Sequence, residues 1–217
     1  NLLIMWLFNF TDFIPKKINF LIYTTGLAHK KFSKSYIYEI NVGLLRTNLK
    51  KLNNHIINKF IYLSTLKVLG DYGQFNIESI PNPQSDYAIS KFQAENLIIN
   101  KFKNTDTKIT ILRLPVVLSR NPKGSLKLMK MFSKSRIPLP LGNINNSKSV
   151  ISIDSICRCF NDIIKNSQNY KEIHYIKDKD LSTADIYIYL SNNDRSKLYN
   201  CPVIIKKLTK IFFQSFY

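Results

Sequence analysis

Glycine is scarce in this chain, at 6 of 217 residues, and none stands before Gly26. No low-complexity tract and no internal repeat is present. Cysteine is almost as sparse. The three thiols, Cys157, Cys159 and Cys201, are an odd number and form no C-x-x-C, which excludes a disulfide framework and a thiolate metal cluster. Cys157 and Cys159 fall in an apolar helical pattern and read as buried, reduced thiols. His29, His55 and His174 show no metal spacing, so no metal is expected. Long hydrophobic runs are missing too. The apolar stretch Leu2–Phe8 is far shorter than the roughly 18 residues of a spanning helix. It has neither a basic segment before it nor a small-residue cleavage site after it. No membrane partner and a cytoplasmic location are therefore expected. The chain opens on Asn rather than Met, which reads as a removed start or a fragment.

Acidic residues are the last shortage. Fourteen Asp and Glu face 32 Lys and Arg, for a formal charge of +18. Such an excess suits nucleic acid or an anionic surface when it is organised. Here lysine far outnumbers arginine, the lysines are scattered, and Asn and Ile are abundant as well. That pattern reflects codon bias, and no nucleic-acid partner is expected. What is present is a globular composition, 45% hydrophobic and 12% aromatic, in a chain long enough to bury a sizeable core.

Apolar runs punctuated by turn residues give the organisation. Asn19–Thr24 and Phe60–Ser64 read as buried strands, and Lys108–Arg113 as a third. Ile37, Ile40, Leu44, Leu45, Leu49, Leu52 and Ile56 recur at helical spacing between the first two. Residues 86–103 form a second helical pattern, with Phe92, Leu97 and Ile98 as its core face. Strands alternating with helices predict a parallel sheet covered on both faces, with chemistry beyond the strand C-termini. Past Pro115 the pattern changes. Helices are expected around Leu126–Phe132 and Ile156–Ile164, and strands at Ser149–Ile153 and Glu172–Ile176. Ser182 with Asp185 marks a capped helix start, and Pro202 the first turn of a last helix. Asp12 and Asp154 read as caps or hydrogen-bond acceptors.

Tyr87-Ala-Ile-Ser-Lys91 carries the chemistry. Four residues apart on a helix, a phenol and an ammonium share one face. The lysine charge is expected to favour the phenolate and lower the tyrosine pKa toward a general-base value. The lysine also suits the hydroxyls of a cofactor ribose. Upstream, Leu63-Ser64-Thr65 places hydroxyls at a strand C-terminus, where they could orient a substrate hydroxyl toward the tyrosine. Strand-end capping is the plain alternative.

These segments resemble the extended short-chain dehydrogenase/reductases, in particular sugar-nucleotide 4-epimerases and dehydratases. The resemblance runs over LIYTTGLAH (Leu21–His29), Asn41-Val42-Gly43, FIYLSTLKVLG (Phe60–Gly70), PNPQSDYAISK (Pro81–Lys91) and LRLPVV (Leu112–Val117). It continues over RIPLPLG (Arg136–Gly142), KSVISIDSI (Lys148–Ile156) and DLSTADI (Asp180–Ile186), and begins near Thr11-Asp12-Phe13. It implies an α/β fold: an incomplete Rossmann-like parallel sheet with helices on both faces plus a small C-terminal substrate lobe. Residues 1–115 would form the NAD-binding part and 116–217 mostly the substrate lobe, interleaved with late sheet elements. Tyr87, Lys91 and Thr65, with Ser64 beside it, become the catalytic set. Lys91, Tyr87, Thr24, Thr25, Gly26, Asn41 and Leu114 would hold NAD, in preference to NADP. Thr65, Pro115, Lys123, Ser125 and Lys148 would meet a nucleotide sugar such as a UDP-hexose. Dimerisation through helices on one sheet face is common in proteins of this resemblance.

The departures are informative. The glycine-rich turn that brings backbone N–H groups to the cofactor pyrophosphate should precede the first matched strand, so the first β–α–β part is expected to be missing. Lys148 stands where the resemblance implies an arginine, without its bidentate fork. Leu66-Lys67 follow the hydroxyl, where the dehydratases carry Asp-Glu. The implied activity is a C4 epimerisation through oxidation and re-reduction, in polysaccharide or cell-surface glycan synthesis. The alternatives are a related reductase or dehydratase, or an inactive truncated remnant with an exposed sheet edge.

Overall fold

The computed structural model describes residues 2–5, 14–28, 32–134, 139, 141–142, 144, 146–166, 172–192 and 198. Expectations at Thr11–Phe13, His29, 135–138, Cys201 and the helix after Pro202 lie outside them. The chain divides into two compact units, Asn1–Pro115 with Cys157–Ile176, and Val116–Ile156 with Lys177–Tyr217.

The first unit is an α/β Rossmann-like layer. Its strands are β1 (Leu2–Met5), β2 (Lys17–Tyr23), β3 (Ile56–Thr65), β4 (Lys108–Leu114) and β7 (Ile173–Tyr175). They pair in the order β1-β2-β3-β4-β7, all parallel. Near-continuous burial of Leu21–Tyr23, Phe60–Tyr62 and Ile111–Leu114 explains why these runs are apolar rather than alternating. Between β2 and β3, helix α1 (Lys34–Tyr38) passes into a π-helical turn, Glu39–Leu44, and then α2 (Leu45–Lys51). The π turn carries three consecutive buried residues, Ile40, Asn41 and Val42. A regular helix would rotate one of them away. The helix ends before Ile56, which opens β3 and is exposed.

Helix α3 (Asp86–Phe102) starts at Ser85, whose side chain accepts from the Ala88 N–H. Such a cap contributes about 1 kcal/mol. Its buried face is Ala88, Lys91, Ala94, Glu95, Ile98 and Phe102, one stripe at i, i+3, i+4 spacing. Phe92 and Leu97, expected on the core face, are only half-buried. Ala94, Ile98 and Phe102 share one core with Leu45 and Leu49 of α2 and with Leu21, Phe60 and Ile111 of the sheet.

In the second unit β5 (Val116–Leu118) pairs parallel with β6 (Lys148–Ser152), and β8 (Lys179–Leu181) runs antiparallel to β6. Helices α4 (Ser125–Lys134) and α6 (Thr183–Leu190) complete it. Its core gathers Leu118, Met129, Val150, Ile186 and Tyr187. The expected cap of α6 is present as a reciprocal box between Ser182 and Asp185. Helix α5 (Ile153–Lys165) runs from the second unit into the first.

Two expectations are corrected, and two strands are added. Leu2–Met5 form a strand along β2, in the register Leu2↔Phe20 to Met5↔Tyr23. The edge of β2 is therefore paired, where the truncated-remnant alternative implies an exposed one. The strands β5 and β8, three residues each, were too short for a period to register. Cys157 is exposed and Cys159 half-buried, because Ile156 and Ile163 face inward and the next residue lies about 100° around the helix.

Candidate active site

The parallel register brings the C-terminal ends of the central strands to one level. Thr65 ends β3 beside Leu114, the last residue of β4, and Ser64 stands beside Arg113. Beyond Thr65 the chain turns through a 3₁₀ segment, Leu66–Leu69, and Thr65 caps it by accepting from the Lys67 N–H at 3.3 Å. The same hydroxyl lies close enough to the phenol of Tyr87 to draw its pKa down. Capping and contact with the tyrosine thus coexist in one side chain.

One helical turn on, Lys91 is 4% exposed. Its Nζ donates to the Leu63 carbonyl at 2.6 Å and stands 4.0 Å from the centroid of the Tyr62 ring. Gly26 closes in from the loop after β2. A Cβ there would stand 3.3 Å from Asn41 Oδ1 and 3.5 Å from Lys91 Nζ. Asn41 holds that loop in place: its Oδ1 accepts from Leu27 N–H at 2.7 Å, and its Nδ2 donates to the Leu27 carbonyl at 3.1 Å. Nδ2 also reaches Ser90 Oγ at 2.9 Å, and Ser90 donates to the Tyr87 carbonyl at 2.8 Å. One buried amide therefore ties the π turn, the loop and the start of α3 together.

The electrostatics correct the expected pKa of the tyrosine. Burial pushes Tyr87 up to about 12, against a smaller downward pull from Thr65. Burial likewise pulls Lys91 down to about 7, partly opposed by the Glu95 carboxylate. The ammonium is spent on the Leu63 carbonyl and the Tyr62 ring. Desolvation of the neutral-preferring phenol outweighs any help from it.

Ser64 and Thr65 point to opposite sides of β3, as strand pleating requires. The Ser64 hydroxyl donates to the buried Glu95 carboxylate. Glu95 also receives Arg113 Nε at 3.1 Å and Nη2 at 2.6 Å, while Arg113 Nη1 reaches the Tyr175 hydroxyl at 2.9 Å. Glu95 and Arg113 are 1% and 3% exposed. Sequence reasoning missed this pair. The readable signal was Glu95 at four residues past Lys91, a carboxylate on the helix's inward stripe.

Thr24 and Thr25 follow directly on β2, whose last residue, Tyr23, accepts at its phenol from Asn48 Nδ2 at 3.3 Å. Pro115 closes the first unit's run after β4. Lys123, Ser125 and Lys148 belong to the second unit. There Lys123 is exposed, Ser125 opens α4 behind Gly124 at φ +61°, and Lys148 opens β6, half-buried. Among the described residues, no group of three or more His, Cys, Asp or Glu is placed to hold a metal ion.

Comparison with known proteins gives the same direction. The chain is similar to a UDP-glucose 4-epimerase of Vibrio cholerae, 27% identical over 222 aligned residues, covering 94% of this chain and 67% of that protein. Its fold is similar to the dTDP-glucose 4,6-dehydratase of Streptomyces venezuelae, solved with NAD, at a TM-score of 0.67 and 19% identity. That match covers 84% of this chain and 60% of the other. The UDP-glucuronic acid 4-epimerase of Bacillus cereus, also solved with NAD, gives a TM-score of 0.66 and 21% identity over 85% of this chain and 63% of that one. The chain thus spans about three fifths of the length of these solved structures. A family model described as the NAD dependent epimerase/dehydratase family matches residues 9–173. With most of its length inside that match, and a tyrosine, lysine and threonine converging at the sheet rim, the chain belongs to the NAD dependent epimerase/dehydratase family.

Proposed function

We propose that the chain carries the proton-transfer centre of an NAD-dependent sugar-nucleotide 4-epimerase acting on a UDP-hexose. The observation that supports it is the meeting of Thr65, at the end of β3, with Tyr87 of α3, while Lys91 one turn along the same helix donates to the Leu63 carbonyl of that strand. As the phenolate, the minor form that burial leaves in the free chain, Tyr87 takes the proton from the sugar C4 hydroxyl and returns it after the sugar has turned over. Thr65 holds that hydroxyl. Lys91 and Tyr87 hold the ribose next to the nicotinamide, and Gly26, lacking a Cβ, leaves backbone close to the Lys91 head. Thr24, Thr25, Asn41 and Leu114 shape the same side; Pro115, Lys123, Ser125 and Lys148 are assigned to the nucleotide sugar. The residues present therefore fit the nicotinamide–ribose end of the cofactor. The pyrophosphate-binding turn is not among these 217 residues, since no glycine precedes Gly26. When bound, NAD supplies the reversible removal of hydride from C4.

Epimerisation is favoured over dehydration by the residues after Thr65. Leu66 is apolar, and Lys67 is exposed and paired with Asp71 at 3.1 Å, so neither supplies an acid for water loss. The product would serve polysaccharide or cell-surface glycan assembly. The deciding experiment incubates this chain with NAD and UDP-glucose and follows both the sugar epimers and reduced-nicotinamide absorbance. Turnover is expected, and Tyr87→Phe should lower it roughly 10²–10⁴-fold, the usual contribution of a positioned general base. Undiminished turnover in that variant removes Tyr87 from the mechanism. NAD that binds without any exchange of epimers would overturn the epimerase reading.

A further inference from the structure

The polar cluster behind the site has no part in the mechanism above. Glu95 lies one turn beyond Lys91 on the buried stripe of α3. Its carboxylate is saturated by groups from two strands: the Ser64 hydroxyl of β3, and Nε and Nη2 of Arg113 in β4. Arg113 in turn is anchored on the Tyr175 hydroxyl of β7 and stands 5.6 Å from that ring's centroid. A buried pair of this kind is weak evidence for stability, because desolvation of both ions offsets their attraction. A folding role alone would be met as well by apolar residues of the same volume. The cluster instead fixes a negative charge at one place beneath the lysine.

We propose that Glu95, clamped by Arg113, is a positioning residue that keeps the Lys91 side chain in its charged form at the Leu63 carbonyl. The groups facing Lys91 are few. From α3 they are Tyr87 and Glu95; from β3, the Tyr62 ring and the Leu63 carbonyl; from β4, Arg113 behind Glu95. The π turn offers only the uncharged Asn41, and the loop after β2 only Gly26. Tyr62 is buried, its hydroxyl has no hydrogen-bond partner among the described residues, and burial pushes its pKa well up. It is therefore a neutral ring under the ammonium. Among the described residues, Glu95 is then the carboxylate that opposes the desolvation of Lys91.

The proposal rests on Lys91 as a site residue, but its test does not rest on turnover. The lysine Nζ ¹⁵N shift of Lys91 is followed against pH in the ¹⁵N-lysine-labelled 217-residue chain, assigned by its loss in Lys91→Met. In Glu95→Gln, which keeps an acceptor for Ser64 and Arg113, the ammonium-to-amine ratio at neutral pH should fall about tenfold or more. That is the usual effect of removing a facing opposite charge. Glu95→Asp should restore most of it. A folded Glu95→Gln chain with an unmoved Lys91 titration overturns the proposal. If Glu95→Gln does not fold, the double variant Glu95→Met/Arg113→Met, which leaves no arginine unpaired, takes its place and must show a fall in the same direction, smaller because a cation is removed with the carboxylate. Failure of both to fold marks the pair as a folding element and also overturns the proposal. Because titration and turnover are read separately, an inactive chain with a shifted Lys91 contradicts only the catalytic reading.

Discussion

Lys91 shows how a site residue can oppose the fold that holds it. Its head is desolvated, and its pKa is pulled from 10.5 to about 7. Between those two values the unfolded chain binds a proton that the folded chain has released, so stability rises with pH through this window. Below about pH 7 both states are protonated and the full penalty is present; above 10.5 it is gone. Lys91→Met lacks the group and lacks the slope. Its stability advantage over the unaltered chain should therefore narrow by on the order of 3 kcal/mol between pH 7 and pH 10. Urea denaturation at a series of pH values measures it, and parallel profiles for the two proteins would show that Lys91 is not desolvated. Tyr87 contributes the opposite trend at higher pH. Its raised pKa stabilises the folded state below about 10, and that contribution is lost toward 12.

At the scale of elements, the polar ties decide which segments form the site. Asn41 satisfies both backbone groups of Leu27 while also holding Ser90. Asn41→Ala removes the partner of those part-buried groups at a cost of about 1 kcal/mol for each bond. The first consequence should be local: the Leu27 amide exchanges with deuterium many-fold faster, while the Ile111 amide of β4 keeps its protection. Equal acceleration at both would mean the amide supports the whole unit. The long elements were legible in the sequence because their periods are long. β2, β3, β4 and α3 show apolar runs or stripes over seven or more residues. Tyr87, Lys91 and Thr65 were legible because helix spacing and strand end fix their positions locally. Glu95 and Arg113 were not, since their pairing depends on the register Ser64↔Arg113 between strands 43 residues of chain or more apart. β1 was hidden for the same reason: four apolar residues have no period, and only the free edge of β2 makes them a strand. The π turn is a further case. Its extra residue shifts the inward face, so a regular 3.6 spacing carried the expected helix on to Ile56.

The whole molecule carries a formal charge of +18, and acidic residues are too few to balance it. The surface pairs Lys34–Asp86, Lys67–Asp71 and Lys177–Asp180 have partners 30% to 70% exposed. Exposed pairs of this kind contribute about 0–1 kcal/mol each. Self-repulsion among the unmatched lysines should outweigh them and disfavour the compact state. Salt decides which term is larger, because it screens both. Raising ionic strength from about 0.01 M to 0.15 M shortens the screening length from about 30 Å to about 8 Å. If repulsion dominates, the thermal midpoint rises over that range; if the pairs dominate, it falls. A rise of several degrees is expected in scanning calorimetry. The same series separates scattered charge from an organised basic surface. A duplex-binding face would show affinity for DNA that falls steeply and linearly on a log–log plot against salt. Scattered lysines should leave no measurable DNA binding at 0.15 M.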